Sequence, residues 1–409
     1  MDSGWRTYSR TALFETGSIL KNNPIPAANI YSKLLSVEQT NTAIIYNDTY
    51  FFKIFRKLEV GINPDLEVVR FLSEKTNFKN APLYGGSIQI KTLNQEMTVL
   101  GMLQNKVNNQ GDAWNTMLSL LDTYYEKIIT SSPAHSPIFI SKDRMYFMDA
   151  PAFVRNLIGR ETYSRVIQLA QRTAEMHIAL ASDPNDADFI PVLFTSHDQQ
   201  QLCESQSHLV HDKLNALAHK LHTLPTEIAA EAQLLLNMKS NILARLENIT
   251  HANIHATQIR VHGDYHLGQV LDSGDDFYII DFEGEPLRPI EERRLKTSPF
   301  KDVAGMVRSF HYAAYGALYL YPERYTTIDT NQLEEWASCW YHYIHRFYLT
   351  AYFDRVEKQS FIPQNKQELD LLLKTFILEK AIYEVGYEMN ARPTWLRIPL
   401  RGALVAIGI

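Results

Sequence analysis

Hydrophobic and polar positions near the start of the chain follow the pattern that is typical of short strands. Asn47-Asp48 separates two β-prone runs and favours a tight hairpin turn between them. Pro64-Asp65 then precedes apolar residues at helical spacing, which predicts a helix. The predicted elements are strands at Ala43–Tyr46 and Tyr50–Phe55, a helix at Leu66–Glu74, and further strands at Ser87–Ile90 and Met97–Met102.

The chain turns polar between Gln104 and Gln110, and we place the boundary between two lobes there, at residues 1–104 and 105–409. Most of the second lobe carries apolar residues at helical spacing, with one island of strands. The predicted helices are Tyr163–Ala181, Pro225–Leu246, Asp302–Leu320, Leu333–Val356 and Glu368–Asn390, and the strands Ile259–Val261, Gln269–Leu271 and Phe277–Ile280 lie in the island Gln258–Phe282. This layout predicts an α+β fold with a small β-rich lobe and a larger, mostly helical one.

Composition narrows the function classes. A chain of 409 residues with 45% apolar residues is globular and buries a large core. Its net charge, 40 − 46 = −6, leaves no cationic excess to bind a nucleic-acid backbone. Cys203 and Cys339 lie far apart, which disfavours a disulfide framework or a Cys-rich zinc module. No apolar run reaches the roughly 18 residues of a membrane span, and Met1–Lys21 lacks the apolar core of a secretory signal. We therefore expect a cytoplasmic protein without nucleic-acid or membrane partners.

The strand island carries the residues with the clearest chemistry. It contains His-Gly-Asp-Tyr-His-Leu-Gly-Gln at 262–269 and Ile-Asp-Phe-Glu at 280–283. Phosphoryl transfer to a hydroxyl needs a carboxylate that orients the nucleophile and oxygen ligands that hold Mg²⁺. Asp264 fits the first role, and Gln269 and Asp281 fit the second. Their order and spacing match those of kinases, so the sequence predicts a kinase.

Other interpretations of these residues are weaker. His262 and His266 stand four apart as zinc ligands do, but neither a zincin glutamate nor a third ligand accompanies them. His262 is more typical of a residue that braces a catalytic loop by hydrogen bonds. Asp281 alone would be typical of a turn that ends a strand. Because Asp264 and Gln269 precede it, metal binding is the favoured interpretation.

A kinase also needs a cation for the nucleotide phosphates and a carboxylate that holds this cation in place. Lys53 lies in an otherwise apolar strand and Glu67 on the following helix, so we predict that they form an ion pair. Alternatively, the strand is an edge strand with Lys53 in solvent. Arg56 and Lys57 are the rival phosphate ligands.

The chain has no glycine-rich loop of the G-x-G-x-x-G type. The turn before the first predicted strand instead carries hydroxyl and amide side chains, which would meet phosphates together with backbone N–H groups. Its candidate phosphate contacts are Ser36, Thr40 and Thr42. By itself this segment is only a polar turn.

The motifs at 262–269 and 280–286 resemble the aminoglycoside-phosphotransferase and choline-kinase-like branch of the protein-kinase-like fold. More specifically, the chain resembles the maltokinases from about Tyr31 to its C-terminal end. The stretches that carry this closer match are residues 37–42, 55–57, 61–67, 110–114, 173–177, 298–306, 378–388 and 392–395. The most specific are Gly-Asp-Ala-Trp, at the end of 110–114, and the Glu-Lys-Ala stretch in 378–388. The resemblance implies a bilobal protein-kinase-like fold with the nucleotide between the lobes.

The resemblance also implies an activity. ATP and Mg²⁺ would phosphorylate the anomeric hydroxyl of maltose to maltose 1-phosphate, for α-glucan or glycogen synthesis, with functional coupling to a trehalose synthase. Gln269 departs from the asparagine of the wider fold but matches the maltokinases. The site residues that the resemblance implies are Asp264 as base, Gln269 and Asp281 for magnesium, Met102–Gln104 for adenine, Lys53 and the Ser36–Thr42 turn for the phosphates, and Lys380, Tyr383, Tyr387, His262 and Glu283 for the sugar.

Helical spacing supports the sugar site modestly. Lys380, Tyr383 and Tyr387 stand at i, i+3 and i+7, on one face of a helix, where they could offer a charge and aromatic rings to a disaccharide. Alternatively, Lys380 pairs with Glu384 at the surface and the tyrosines pack in the core. Many maltokinases carry a cap module ahead of the first lobe, and here we expect it to be missing or reduced to a strand or helix.

Two rival functions stay open. One is another small-molecule kinase of the same fold, acting on an amino sugar, an aminoglycoside or choline. A cationic acceptor would need carboxylates or aromatic cages, whereas Lys380 on the acceptor face favours a neutral sugar. The other is a catalytically silent nucleotide- or sugar-binding module, which would have no need of Asp264, Gln269, Asp281 and Lys53 together.

Overall fold

The structure is a computed structural model of the chain. It describes residues 10–22, 30–35, 41–92, 94, 96–131, 136–320, 322–325 and 329–408. Within these ranges a small sheet-containing lobe precedes a larger helical lobe, as the hydrophobic pattern predicts.

Antiparallel strands build the sheet of the smaller lobe. They are β1 (Arg10–Thr16), β2 (Ser32–Leu34), β3 (Thr42–Tyr46), β4 (Tyr50–Ile54), β5 (Tyr84–Thr92) and β6 (Met97–Asn105). The six strands lie in the order β1-β5-β6-β4-β3-β2. Asn47 and Asp48 turn between β3 and β4 with φ angles of 50° and 49°, so the predicted hairpin is confirmed.

The described residues near the start of the chain add one strand and one short helix to this lobe. Strand β1 pairs with β5, and helix α1 (Ser18–Asn22) follows it. Hydrophobic alternation does not reveal β1, because its residues Thr11–Thr16 are exposed on both faces.

Helix α2 (Pro64–Lys75) packs against the sheet and confirms the predicted helix. The side chain of Asn63 caps it by accepting the N–H of Asp65 at 2.8 Å, and Pro64 starts its first turn. Its buried apolar residues include Leu66, Val69 and Leu72. The helix therefore presents its first turn to the space between the lobes.

The larger lobe is built mainly from helices. They are α3 (Ala113–Ser131), α4 (Ala152–Leu180), α5 (Ser196–Lys220), α6 (Thr226–Asn237), α7 (Lys239–His251), α8 (Ile290–Arg293), α9 (Phe300–Leu320), α10 (Thr330–Val356), α11 (Lys366–Ala391) and α12 (Arg397–Ala406). Its short strands are β7 (Val192–Leu193), β8 (Thr257–Gln258), β9 (Val270–Asp272) and β10 (Phe277–Ile279). Strands β9 and β10 form a hairpin, and β7 pairs with β8.

Some boundaries differ from the prediction. The amphipathic stretch Pro225–Leu246 is two helices, α6 and α7, because the chain turns at Met238. The predicted strand at Ile259–Val261 is reduced to a bridge between Ile259 and Thr297 beyond β8. Helix α5 escapes the sequence analysis because its face is largely polar and exposed.

Most buried apolar side chains of both lobes belong to one continuous core. It runs from α2 and the sheet through α3, α4, α9 and α10. A second cluster lies where α5, α6 and α7 pack on α11 and α12. The first cluster includes Val261, Tyr265 and Leu267, so it packs against the segment between β8 and β9. In the described part of the chain, no helix is long and apolar enough to cross a membrane.

Candidate active site

The loop between β8 and β9 carries Asp264, and a buried carboxylate holds this loop in shape. Asp302, in the first turn of α9, accepts the backbone N–H groups of His262 at 2.7 Å and Gly263 at 2.8 Å. It also lies 3.1 Å from the ring of His177. Burial opposes ionisation of Asp302, but these hydrogen bonds and the His177 charge outweigh it, so its pKa lies below the ordinary value. A charged, fixed Asp302 thus anchors the loop.

Asp264 itself faces the opening between the lobes. Its side chain is 27% exposed, and one carboxylate oxygen lies 3.3 Å from the ammonium of Lys380 on α11. Burial raises the pKa of Asp264, but the charge of Lys380, with smaller contributions from His266 and His262, brings it below the ordinary value. Asp264 is therefore ionised at neutral pH and able to accept a proton.

His262 takes the bracing role. Its ring is 1% exposed, and Nε2 donates to the carbonyl of Ile280 at 2.9 Å. The ring also packs against Phe282, with centroids 4.9 Å apart. His262 thus ties the Asp264 loop to the segment after β10. The sugar contact that the resemblance implies for it stays a prediction.

Asp281 and Gln269, the two predicted metal ligands, are neighbours. Asp281 follows β10 with a left-handed φ of 67°, a conformation that few non-glycine residues adopt. The amide nitrogen of Gln269 donates to its carboxylate at 2.8 Å. The strained backbone directs the Asp281 carboxylate away from β10 and toward the small lobe, where it meets Lys53.

Three carboxylates surround the ammonium of Lys53. It contacts Asp281, and lies 2.8 Å from Asp65 and 2.6 Å from Glu283. The side chain of Lys53 is only 12% exposed. Burial lowers its pKa, but the three negative charges outweigh this effect and raise it well above the ordinary value. Lys53 is thus a buried, charged residue in the cleft, and the alternative of a solvent-exposed edge lysine is wrong.

The predicted pair between Lys53 and Glu67 is wrong. Asp65, two positions earlier on α2, binds Lys53, whereas Glu67 binds Arg260 at 2.7 Å and Arg294 at 2.9 Å. Residues two apart on a helix point in different directions, so only one of the two carboxylates can face β4. Asp65 also accepts the backbone N–H of Phe282 at 2.9 Å, which links α2 to the Asp281 segment.

The carboxylate oxygens of Asp65, Asp281 and Glu283 all lie within 4.8 Å of one another. Burial raises the pKa of Glu283, and the negative charges of Asp65 and Asp281 raise it further. Hard oxygen donors of this kind, with the Gln269 amide beside them, suit Mg²⁺. The donor set therefore fits the metal that the sequence predicts.

The structure describes only some of the residues that are predicted to contact the nucleotide. Met102 lies in β6 between Lys53 of β4 and Ser87 of β5, and Gln104 likewise lies between Phe51 and Tyr84. Both residues have strand partners on both sides. The adenine contact expected at Met102–Gln104 stays a prediction. Thr42 begins β3, while Ser36 and Thr40 lie outside the described residues.

Beside Asp264 lies a cavity of about 40 Å³, far below the roughly 300–1,000 Å³ usual for ligand pockets, so it marks only part of the candidate acceptor site. Lys380 and Tyr383 of α11 line it, and the Lys380 ammonium lies 5.2 Å from the centre of the Tyr383 ring. Tyr387 is 51% exposed and lies under the guanidinium of Arg392, outside the residues that line this cavity. Of the three residues predicted on one helix face, Lys380 and Tyr383 thus line this cavity with Asp264, and Tyr387 does not.

Glu285 and Glu379 also line this cavity, and the sequence analysis missed both. Glu285 pairs with Arg288 at 2.9 Å, while Glu379 accepts a hydrogen bond from the neutral amide of Gln206 at 2.8 Å. The available signal was the resemblance: Glu285 lies in the kinase-like motif at 280–286 and Glu379 in the maltokinase stretch at 378–388. The cavity therefore holds two carboxylates in addition to the residues that the sequence predicts for the sugar.

Comparisons with known proteins agree with this geometry. No family model matches the chain. A glucosamine kinase from Mycolicibacterium smegmatis is 23% identical over 375 residues, which cover 89% of this chain and 77% of that protein. A glucosamine kinase from Streptacidiphilus jiangxiensis is 25% identical over 143 residues, or 34% of this chain and 30% of that protein. A solved glucosamine kinase in complex with glucosamine, ADP and inorganic phosphate superposes with a TM-score of 0.68 and 18% identity, over 97% of this chain and 79% of that one.

The chain has the protein-kinase-like phosphotransferase fold. Lys53 of the small lobe contacts Asp281 of the helical lobe, and Asp264 of the helical lobe lies 3.3 Å from Lys380. The bilobal architecture that the maltokinase resemblance implies is thus confirmed. The closer match to maltokinases is not confirmed, because the similar proteins described above are glucosamine kinases.

Proposed function

We propose that the chain is a kinase that uses Mg²⁺ and ATP to phosphorylate a hydroxyl of a small sugar, with an amino sugar of the glucosamine type as its acceptor. The observation that carries this proposal is the convergence of Asp264 with Lys380 on one side of the cleft and of Lys53 with Asp281 on the other. This is the arrangement that phosphoryl transfer needs: a base at the acceptor and a cation with metal ligands at the phosphates.

Asp264 orients the acceptor hydroxyl and accepts its proton as the phosphoryl group is transferred. Its lowered pKa keeps it ionised, and the Asp302 anchor keeps its loop in place. Proton transfer by a positioned carboxylate contributes roughly 10²–10⁴-fold to such a rate. The Lys380 contact fixes the Asp264 side chain while one carboxylate oxygen remains for the hydroxyl.

The nucleotide is held on the small-lobe side. Lys53 binds the phosphates, and Asp65 and Glu283 position its ammonium. Asp281 and Gln269 would hold Mg²⁺, with Glu283 or Asp65 as further oxygen ligands, and the ion would neutralise phosphate charge. The backbone at Met102–Gln104 is where adenine would form hydrogen bonds.

The acceptor cavity offers carboxylates to a cationic sugar, although Arg288, Lys301 and Lys380 line it as well. Lys380 favoured a neutral sugar in the sequence analysis, but its charge is balanced by Asp264 at 3.3 Å. Glu379 accepts a hydrogen bond from the neutral amide of Gln206 and feels the charge of Arg288 at longer range, but it has no ion pair among the described residues and is available to an ammonium group. The glucosamine kinase relatives support the same choice.

Maltose phosphorylated at its anomeric hydroxyl is the second candidate. The Gly-Asp-Ala-Trp and Glu-Lys-Ala stretches favour it, and Lys380 and Tyr383 do line the acceptor cavity. Coupling to a trehalose synthase and a role in glucan synthesis depend on this candidate alone. The relatives found support the amino sugar instead.

An ADP-release assay with the purified full chain tests the proposal. Mg-ATP is supplied with glucosamine, maltose, choline or an aminoglycoside in turn, and Asp264→Asn is the matched inactive control. We expect turnover with glucosamine that requires both Mg²⁺ and Asp264. Turnover with maltose alone would favour the second candidate, and no turnover with any acceptor would favour a silent binding module.

A further inference from the structure

A large cavity lies inside the helical lobe, away from the cleft between the lobes. It has a volume of about 1210 Å³, above the roughly 300–1,000 Å³ usual for ligand pockets. Helices α9, α10, α11 and α12 wall it. None of Asp264, Asp281 and Lys53 lines it. The cavity is therefore a space that the proposed kinase reaction does not use.

Arg346 lies in the wall of this cavity with an unbalanced charge. Its Nε atom is buried without a hydrogen-bond partner, and no ion pair joins its guanidinium to a carboxylate of the described residues. Burial lowers the pKa of Arg346, and only Tyr341 and Tyr343 oppose this shift. A half-buried cation without a counter-ion is costly, so an anion that entered the cavity would be stabilised by it.

The other arginines in the wall are already paired by protein carboxylates, whereas the exposed Lys374, which also lines it, has no ion pair among the described residues. Arg308 binds Glu384 at 2.8 Å, and Arg401 binds Glu334 at 2.7 Å. Arg144 pairs with Asp354 at 3.2 Å. Among the arginines of this wall, Arg346 is therefore the one whose charge no carboxylate of the described residues balances.

His311 adds a second unsatisfied group that faces the same cavity. It is 3% exposed, and its Nδ1 atom has no hydrogen-bond partner among the described residues. The ring is held between Tyr315 and Tyr341, at centroid distances of 4.9 Å and 4.8 Å. Buried polar atoms are normally satisfied, so an orphaned ring nitrogen on a cavity wall indicates a ligand group.

Apolar side chains form part of the remaining wall, beside polar and charged ones such as Glu335, Gln364 and Asp370. Val307, Leu349, Phe353, Leu369 and Leu373 contribute to it. A wall of this kind gains from an apolar ligand body rather than from a bare hydrated ion. We infer that the cavity is a second ligand site for a small organic anion, a carboxylate or phosphate monoester on an apolar ring or chain, with the anionic group at Arg346 and a polar atom near His311.

Isothermal titration calorimetry of the full chain tests this inference with phenyl phosphate and benzoate as probes, and with phenol as their neutral counterpart. Phenyl phosphate and benzoate separate the phosphate from the carboxylate form of the ligand. We expect saturable binding of at least one of the two anions and at least tenfold weaker binding of phenol. Absence of saturable binding for both anions overturns the inference.

Two variants locate the binding. Arg346→Gln removes the unbalanced charge and should weaken the anion at least tenfold, whereas Arg245→Gln, the same change at an exposed position of α7, should leave it unchanged. Val405→Trp fills the cavity from its exposed side and should also abolish binding. Undiminished binding to Arg346→Gln and Val405→Trp places the anion elsewhere, for example in the cleft, and overturns the inference. Neither residue belongs to the proposed catalytic machinery, so glucosamine turnover should persist in both variants.

Discussion

The ammonium of Lys380 lies 3.3 Å from a carboxylate oxygen of Asp264 and joins helix α11 to the catalytic loop. A salt bridge between a candidate base and the acceptor wall lowers the pKa of the base and fixes its direction. The pair therefore links acceptor binding to proton transfer.

Asp264→Asn should abolish most of the turnover. We expect kcat to fall about 10²–10⁴-fold, because the amide cannot accept the proton of the acceptor hydroxyl. ADP affinity should stay within about threefold, less than the tenfold that 1.4 kcal/mol would give, because Asp264 lies on the acceptor side. Steady-state kinetics and calorimetry with Mg-ADP measure the two quantities. Near-normal turnover would rule out Asp264 as the base.

Lys380→Met should shift the pH dependence of the reaction. The Lys380 charge lowers the pKa of Asp264 against the opposing effect of burial, so its removal raises this pKa. Because the ionised form of Asp264 acts, the acidic limb of the kcat/KM profile should move to higher pH. Lys358→Met, at an exposed lysine, is the matched control and should leave the profile in place. An unmoved acidic limb in Lys380→Met would contradict the electrostatic role of the pair.

Lys53→Met should destabilise the small lobe and make the protein respond more strongly to magnesium. Without the ammonium, three close carboxylates repel one another, at a cost of about 3–5 kcal/mol in the free energy of unfolding. Mg²⁺ should recover part of this loss by binding the same oxygens, and so should a lower pH that protonates them. Thermal denaturation with and without Mg²⁺ measures the effect.

Lys57→Met is the control for that variant, since Lys57 is 58% exposed and pairs with Glu59 at 3.4 Å. It should change stability by no more than about 1 kcal/mol. Equal responses of the two variants to Mg²⁺ would contradict a metal site at Asp65, Asp281 and Glu283.

Asp302→Ala should unfold the catalytic loop and weaken the whole lobe. It leaves two backbone N–H groups and His177 without their partner, at a cost of about 3–5 kcal/mol. The folded pKa of Asp302 lies below the ordinary value of 3.8, so its contribution is complete above that value and disappears as the pH falls through the folded pKa. Denaturant unfolding at neutral and acidic pH should therefore show a deficit that shrinks in acid, whereas Asp212→Ala, at an exposed aspartate, should show almost none.

Glu379→Gln should weaken the acceptor and spare the nucleotide. If the ammonium of the sugar lies near Glu379, KM for glucosamine should rise about tenfold, equivalent to about 1.4 kcal/mol, while KM for ATP stays constant. Glu204→Gln on the exposed face of α5 is the matched control. An unchanged KM for glucosamine would place the ammonium at another carboxylate of the cavity.

Local patterns predicted the parts of the site that a short stretch of chain encodes. Asp264, Gln269 and Asp281 were found because their spacing along the chain matches that of kinases. Lys53 was found because a charge in an apolar strand is unusual. The partner of Lys53 was predicted wrongly, since the choice between Asp65 and Glu67 depends on how α2 is rotated against β4. This rotation follows from packing between segments that are distant in the chain.

The same limit explains the acceptor cavity. Glu285 follows β10 and Glu379 lies on α11, so their meeting beside Asp264 depends on how the lobe folds. The lobe layout, in contrast, followed from hydrophobic periodicity over long stretches. Strand β1 and helix α5 were missed because their exposed, polar faces give little periodic signal.

Phosphorus NMR of the reaction product tests the central proposal most directly. The full chain is incubated with Mg-ATP and either glucosamine or maltose, and the new phosphomonoester resonance is recorded with proton coupling. We expect a phosphomonoester resonance with glucosamine and no such product from Asp264→Asn. A doublet obtained only with maltose, from a single anomeric proton, would contradict the amino-sugar assignment.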